Sequence, residues 1–139
     1  MRFLDTNVFI RFLTGDDPAK AAASRALFEA MDRGDEDLFS SEAIVAECIY
    51  VLTSKRHYNL PRADAAERLR PALAVRGLHM SEKAVVLASL DIFIDYPALD
   101  FADALVAAHA RAEGSGEVMS YDADIAKVPG IRRFEPEPV

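Results

Sequence analysis

The sequence has one cysteine, Cys48, and no tryptophan. A single cysteine cannot form an internal disulfide, and zinc sites built from paired cysteines are excluded as well. The longest apolar run, 84–94, is interrupted by Ser89 and Asp91 and falls well short of the roughly 20 residues of a transmembrane helix. The opening residues, 1–5, leave no room for a signal peptide. We therefore expect a reduced, cytoplasmic protein without a membrane span.

Positive charge is also scarce: 16 Lys and Arg residues face 23 Asp and Glu residues, for a net charge of -7. Proteins that coat nucleic acids without sequence preference obtain their affinity from dense basic surfaces, so this balance argues against that class. The objection weakens if several acids share one site, because bound divalent cations would reverse the charge that a phosphate meets.

The length and composition are those of one globular domain. The chain has 139 residues, of which 51% are hydrophobic and 28% charged. A chain of this size can bury a core without disulfides or a structural metal. We expect a single domain over 1–139, with a loose tail at 135–139.

Short apolar runs alternate with helical periodicity. The runs predict five strands, at 2–4, 38–40, 78–80, 118–121 and 131–134, and the periodic segments predict six helices, at 8–13, 19–31, 42–55, 62–75, 82–94 and 101–113. Such alternation is typical of α/β proteins with a parallel sheet covered on both faces. Helix boundaries are predicted from Ser41, Ser81 and Asp100 as N-caps, Pro61 at a first helical position and Gly114 at a C-terminus, with Pro71 kinking or splitting its helix.

Two acids follow predicted strands. Asp5 comes directly after the first strand, and Asp122 follows the fourth. In open parallel sheets, ligands bind beyond the carboxyl ends of the strands. Helix capping by Asp5 and a turn at Asp122 are the alternatives.

Two more acids lie on predicted helices. Glu47 falls at the rim of an apolar helix face, where a carboxylate is costly unless it is paired, hydrogen-bonded or bound to a cation, or unless it reaches outward to solvent. Asp103 follows the candidate cap Asp100 within one helical turn, which a variant capping box would also explain. If all four acids converge on one notch, their repulsion requires hard divalent cations, and Mg²⁺ or Mn²⁺ prefers oxygen ligands.

Four segments, in this order and at this spacing, resemble the PIN-domain ribonucleases, and in particular the VapC-type toxins of bacterial toxin–antitoxin pairs. They are Phe3-Leu4-Asp5-Thr6-Asn7, Val45-Ala46-Glu47, Asp100-Phe101-Ala102-Asp103-Ala104-Leu105 and Ser120-Tyr121-Asp122-Ala123-Asp124. The resemblance covers essentially the whole chain. It implies a three-layer α/β/α sandwich with a central parallel sheet, and hydrolysis of RNA by an endonuclease.

The resemblance also assigns roles to residues. It makes Asp5, Glu47, Asp103 and Asp122 the acidic quartet, with Asp5 and Asp103 as the firmest metal ligands. It implies that Thr6, Asn7 and Ser120 orient the carboxylates and bound water, and that Asp124 assists or replaces Asp122. An antitoxin protein is the implied partner, and Mg²⁺ or Mn²⁺ the implied cofactor.

Two further features bear on partners. The basic patch Lys55-Arg56-His57-Tyr58 offers RNA contacts and one aromatic ring for stacking; its alternative is a solvated helix end. The helix at 82–94 is apolar almost all round, so we expect one side to face a second subunit. The resemblance to VapC-type proteins also implies a homodimer.

Two other classes share the predicted architecture. An aspartyl phosphatase or phosphoacceptor is disfavoured because haloacid-dehalogenase-type enzymes need a second Asp two residues after the nucleophile, where this chain has Asn7. A metal-free RNA- or protein-binding module is consistent with the negative net charge. It does not explain why the carboxylate of Glu47 lies at the rim of an apolar helix face.

Overall fold

The computed structural model describes all residues from 1 to 139. They form two compact units, Met1–Lys83 and Ala84–Val139. No helix combines the length and the apolar character that a bilayer crossing requires.

The first unit contains three strands and four helices. In chain order they are β1 (Arg2–Phe3), α1 (Thr6–Leu13), α2 (Pro18–Arg33), β2 (Leu38–Phe39), α3 (Glu42–Thr53), α4 (Arg62–Ala74) and β3 (Leu78–His79). The strands pair in parallel in the order β1-β2-β3, with Phe3 opposite Phe39 and Phe39 opposite His79. Because all three strands run the same way, their carboxyl ends lie at one edge of the sheet, where Asp5 follows β1.

Aromatic packing joins the first two helices. The ring centroids of Phe9 and Phe28 are 5.5 Å apart at an edge-on angle, and Phe12 stacks on Phe28 at 4.2 Å. Phe9 and Phe28 are almost fully buried. Burial of such side chains contributes about 1.5–3 kcal/mol each, so these contacts fix α1, which begins immediately after Asp5.

The second unit begins within α5 (Lys83–Asp95) and continues with α6 (Phe101–Glu113), β4 (Glu117–Met119), a 3₁₀ helix (Ala123–Lys127) and β5 (Arg132–Phe134). β4 and β5 pair in parallel as a separate two-stranded sheet. Gly114 ends α6 in the left-handed conformation, with φ at 106°, as predicted for a C-cap.

All five predicted strands and all six predicted helices are present, within one or two residues at most of their ends. Every strand pair is parallel, and the hydrogen bonds group the strands into one sheet in each unit. Asp100 is confirmed as the N-cap of α6 by a side-chain hydrogen bond, whereas Ser41 lies at the N-cap position of α3 without such a bond. The single-domain organisation stays a prediction.

Three details differ from the predictions. Ser81 is not an N-cap, since α5 begins at Lys83 after Glu82, whose φ is 53°. Pro61 lies at the N-cap position instead of inside α4. α4 runs unbroken through Pro71, which lies more than two turns from its start, so the helix is not split there and a kink at Pro71 stays a prediction.

The expected dimer helix, α5, is largely buried within the chain. Val85 and Ile92, on one side of its apolar circumference, are 8% and 3% exposed, and Leu87 and Ile94 on the other are half-buried. The helix α5 therefore has no exposed apolar side that would indicate a subunit interface. The homodimer stays a prediction from the family resemblance.

Gly77, between α4 and β3, provides a test of the first unit's packing. A Cβ at this position would overlap the carbonyl oxygen of Glu36 and would lie 2.8 Å from that of Met31, and backbone cannot move aside as a flexible side chain can. We expect Gly77→Ala to lower the free energy of unfolding by at least about 2 kcal/mol, measured by urea denaturation. Gly15→Ala is the control, because nothing lies within 4 Å of its Cβ. Equal stability of the two variants would contradict the packing described.

Candidate functional site

Asp5 both caps α1 and presents a free carboxylate. It is the N-cap residue, and its Oδ1 accepts a hydrogen bond from the Thr6 amide at 2.8 Å. The side chain is exposed and forms no ion pair with a basic residue. The capping alternative is thus correct, and it leaves most of the carboxylate's hydrogen-bonding capacity unused.

The next residue, Thr6, has a buried hydroxyl without a partner. Thr6 is 4% exposed, and its Oγ1 has no hydrogen bond within the protein. An unsatisfied buried hydroxyl costs free energy unless water or a ligand pairs with it. Asn7, in the first turn of α1, is exposed. The start of α1 therefore has an unpaired hydroxyl on the residue after Asp5 and an exposed amide on the residue after that.

Glu47 lies on α3 and points to solvent without an ion pair. Its neighbour Cys48 is fully buried. Burial, together with the negative charges of Glu47 and Asp5, raises the pKa of the Cys48 thiol to about 12. Both carboxylates therefore lie near the same thiol, and the first unit brings Asp5 and Glu47 into one electrostatic neighbourhood.

Asp103 stands at the start of α6 among other acids. Asp100 caps the helix, its Oδ1 accepting from the Asp103 amide at 2.8 Å. Burial raises the pKa of the Asp103 carboxyl; the charge of Asp100, a hydrogen bond to that side chain and the charge of Asp122 act in the same direction. The second unit thus gathers Asp100, Asp103 and Asp122. Because protons compete with cations for a carboxylate of raised pKa, binding of a metal here would weaken as pH falls.

Asp122 follows β4 in a tightly held bend. Its amide donates to the Ser120 Oγ at 3.0 Å, and its carboxylate accepts from the Asp124 amide at 2.9 Å while capping the 3₁₀ helix. Ser120 is itself fixed, since its amide donates to the Phe134 carbonyl at 2.8 Å. The Ser120 hydroxyl therefore holds the backbone of Asp122, and its predicted role in orienting the carboxylate stays a prediction. The turn alternative is also correct.

Two predicted contributors are engaged elsewhere. Asp124 forms an ion pair with Lys127 at 2.8 Å, which makes it a weaker substitute for Asp122. The hydroxyl of Tyr58 donates to Asp16 at 2.7 Å, so the only aromatic of the basic patch joins two loops. Lys55, Arg56 and His57 remain exposed.

Asp100 is the residue that sequence reasoning left out of the acidic group. Its capping role was predicted and is a sufficient explanation for an acid at this position. Its carboxylate is also close enough to Asp103 to raise the pKa of the Asp103 carboxyl. The i, i+3 spacing of two acids at a helix start was the available signal.

The donor chemistry fits a hard divalent cation. The four predicted ligands offer only carboxylate oxygens, none is paired with Lys or Arg, and the orphan Thr6 hydroxyl lies beside one of them. No group of three or more His, Cys, Asp and Glu side chains is arranged to hold a metal ion. The structure shows the acids as Asp5 with Glu47 and Asp103 with Asp122, and their convergence into one quartet stays a prediction.

Comparison with known proteins places the chain in a family. The PIN domain model matches residues 2–131, so the chain belongs to the PIN domain family. The VapC ribonuclease of Aquifex aeolicus (strain VF5) is 26% identical over 136 residues, which cover 98% of this chain and 97% of that protein. The crystal structure of VapBC2 from Rickettsia felis bound to a DNA fragment from their promoter includes a chain 15% identical to this one. The match covers 96% of this chain and 97% of that one, with a TM-score of 0.35, too distant to carry a structural argument.

The burial of Cys48 gives a chemical test of the surroundings of Asp5 and Glu47. Thiolates, not thiols, react with disulfide reagents, and a pKa of about 12 leaves almost no thiolate at neutral pH. We expect no labelling of Cys48 by Ellman's reagent in the native protein at pH 8 and stoichiometric labelling in 6 M guanidinium. Fast labelling of the folded chain would show that the α3 face is open.

Proposed function

We propose that this protein is a divalent-metal-dependent endoribonuclease, the toxin of a toxin–antitoxin pair. The observation that carries the proposal is the set of four carboxylates without a basic partner, two following strands and two on helices, in a chain that belongs to the PIN domain family. The similarity to a VapC ribonuclease supports RNA as the substrate. The reduced Cys48 and the absence of disulfides are in keeping with a cytoplasmic location.

The four carboxylates have different proposed roles in metal binding and proton transfer. Asp5 and Asp103 are the proposed principal ligands, with Glu47 and Asp122 completing the group. Bound Mg²⁺ or Mn²⁺ would supply a water of lowered pKa and would stabilise charge on the attacking and leaving oxygens of the phosphodiester. Glu47 is exposed and unpaired, and Asp122 is held by Ser120, so either can accept a proton from the attacking water.

The flanking polar residues set the ligands' orientation. The Thr6 amide holds one oxygen of Asp5, and the unpartnered Thr6 hydroxyl is available to a bound water. Asn7 lies on the same helical turn, and Ser120 and Asp124 both hydrogen-bond with Asp122 or its amide. Such contacts fix the geometry of a ligand without touching the metal.

Asp5→Asn tests the assignment directly. Outer contacts of a metal site are commonly worth 10- to 100-fold, so loss of a ligand's charge is expected to lower Mg²⁺-dependent cleavage of RNA by at least about 100-fold. The amide keeps the carboxylate's shape and can still cap α1, so the fold should persist. Cleavage of tRNA, rRNA and mRNA substrates, with Mg²⁺ and with EDTA, measures the effect.

Asp17→Asn is the matched control, because Asp17 caps α2 in the same unit and its side chain likewise accepts an amide hydrogen bond. It should cleave at the wild-type rate. Cleavage by Asp5→Asn at that rate would refute the assignment. A metal-free binding module would bind RNA without cutting it and would show no Mn²⁺ binding by calorimetry.

An antitoxin is the partner that a ribonuclease acting on its own cell requires. An Arg from the antitoxin would match the carboxylates' geometry and replace the cations' charge. Inhibition should then be competitive with metal. In the complex with the co-expressed antitoxin, we expect cleavage to be restored when Mg²⁺ is raised from 1 to 20 mM. Inhibition that does not change with the Mg²⁺ concentration would exclude competition with the metal.

A further inference from the structure

The two-stranded sheet of the second unit has one solvated face that bears apolar side chains. Met119 is 66% exposed and Phe134 is 44% exposed, and the β4–β5 register places them opposite each other. Between Met119 and Glu117, Val118 is buried, which is the alternation of a half-buried strand. The exposed side of this sheet therefore carries a side-by-side methionine and phenylalanine.

Tyr121 extends this apolar set toward the acids. It is 74% exposed, and it directly precedes Asp122. Its backbone is held on both sides, by the Ser120 amide bonded to the Phe134 carbonyl and by the Asp122 amide bonded to the Ser120 Oγ. The backbone that carries this solvent-exposed ring is thus held directly before a proposed metal ligand.

A guanidinium completes the surface. The Arg132 side chain lies 6.0 Å from the centre of the Phe134 ring, and Glu117 holds it by an ion pair of 2.7 Å. Arg133 donates to the Ser120 carbonyl at 3.0 Å from the partly buried side of the same strand. Aromatic rings with an adjacent Arg plane are the features on which unpaired bases stack.

We propose that Met119, Tyr121, Arg132 and Phe134, the stacking face, bind the unpaired bases of a single-stranded RNA that flank the phosphate cut at Asp122. The inference rests on the proposed function and names how its substrate is held. Contiguous exposed apolar groups mark binding surfaces, and Tyr121 directly precedes Asp122 in the chain.

The chain's charge argues for stacking over phosphate contacts. Arg132 and Arg133, the cations of this sheet, are each paired to a glutamate, so in a protein of net charge -7 this sheet has little free cation to offer the RNA backbone. The exposed Lys55 and Arg56 belong to the other unit. Affinity for RNA at this sheet must therefore come largely from base stacking, which is independent of net charge and tolerant of sequence.

Tyr121→Leu tests the face, since leucine keeps apolar surface but removes the ring. Fluorescence anisotropy with a labelled 12-nucleotide single-stranded RNA in 5 mM Mg²⁺ measures affinity, in an Asp5→Asn background that prevents cleavage. We expect binding to weaken roughly 5- to 150-fold, the range for loss of one stacked base. Tyr121→Phe should rescue it. Phe39→Leu, an exposed aromatic of the other unit's sheet, should leave affinity within about twofold.

A second readout reports stacking itself. Because the chain has no tryptophan, Tyr121→Trp introduces a single tryptophan that can be excited selectively, and we expect the single-stranded RNA to quench its fluorescence while a duplex of the same sequence does not. Wild-type affinity of Tyr121→Leu, or quenching by duplex alone, would overturn the inference.

The outcomes separate this inference from the proposed function. Metal-dependent cleavage by the wild-type chain together with unchanged binding of Tyr121→Leu would leave the nuclease standing and remove the stacking face. A change in sedimentation of Tyr121→Leu without a change in RNA affinity would assign the face to a protein contact and would equally refute the inference.

Discussion

The lack of a basic partner for the acidic side chains is the constraint on which the candidate site depends. The negative charges of Asp5 and Glu47 contribute to the raised pKa of the buried Cys48 thiol. The repulsive charges of Asp100 and Asp122 contribute to the raised pKa of Asp103. Elsewhere the chain neutralises acids locally, as in the pairs Arg11–Asp16 and Arg33–Asp35. The proposed ligands receive no such partner. Carboxylates that are held near one another without a Lys or Arg partner are stabilised when a divalent cation or an Arg of a partner protein binds them.

The fold keeps these acids in place by giving several of them a second, structural task. Asp5 caps α1, Asp100 caps α6 and Asp122 caps the 3₁₀ helix, and each accepts a backbone amide with a side-chain oxygen. A helix N-terminus favours negative charge, so its dipole offsets part of the repulsion. Glu47 has no such task, and its place depends on the packing of α3 alone. A capping carboxylate keeps lone pairs unused, so capping is compatible with the proposed metal binding.

Much of the fold could be predicted because its signals are local. Periodicity located the strands and helices, and Gly114 and Asp100 ended and began α6 by their own backbone chemistry. The misses were of two kinds. Ser81 was a plausible cap, but the backbone turns at Glu82 with positive φ and starts α5 later. The apolar circumference of α5 suggested a second subunit, yet periodicity cannot tell whether the chain itself covers a face.

The site shows the same limit at finer scale. The positions of Asp5 and Asp122 after strands followed from sequence, and so did the cap at Asp100. The engagement of Tyr58 by Asp16 joins residues 42 positions apart, and no spacing rule encodes such a contact. The same holds for the stacking face, because the pairing of Met119 with Phe134 depends on the register of two strands. A protein of net charge -7 that is proposed to act on RNA needs an attraction independent of net charge, and this register places the exposed ring of Phe134 opposite Met119, on the strand that leads to Tyr121 and Asp122.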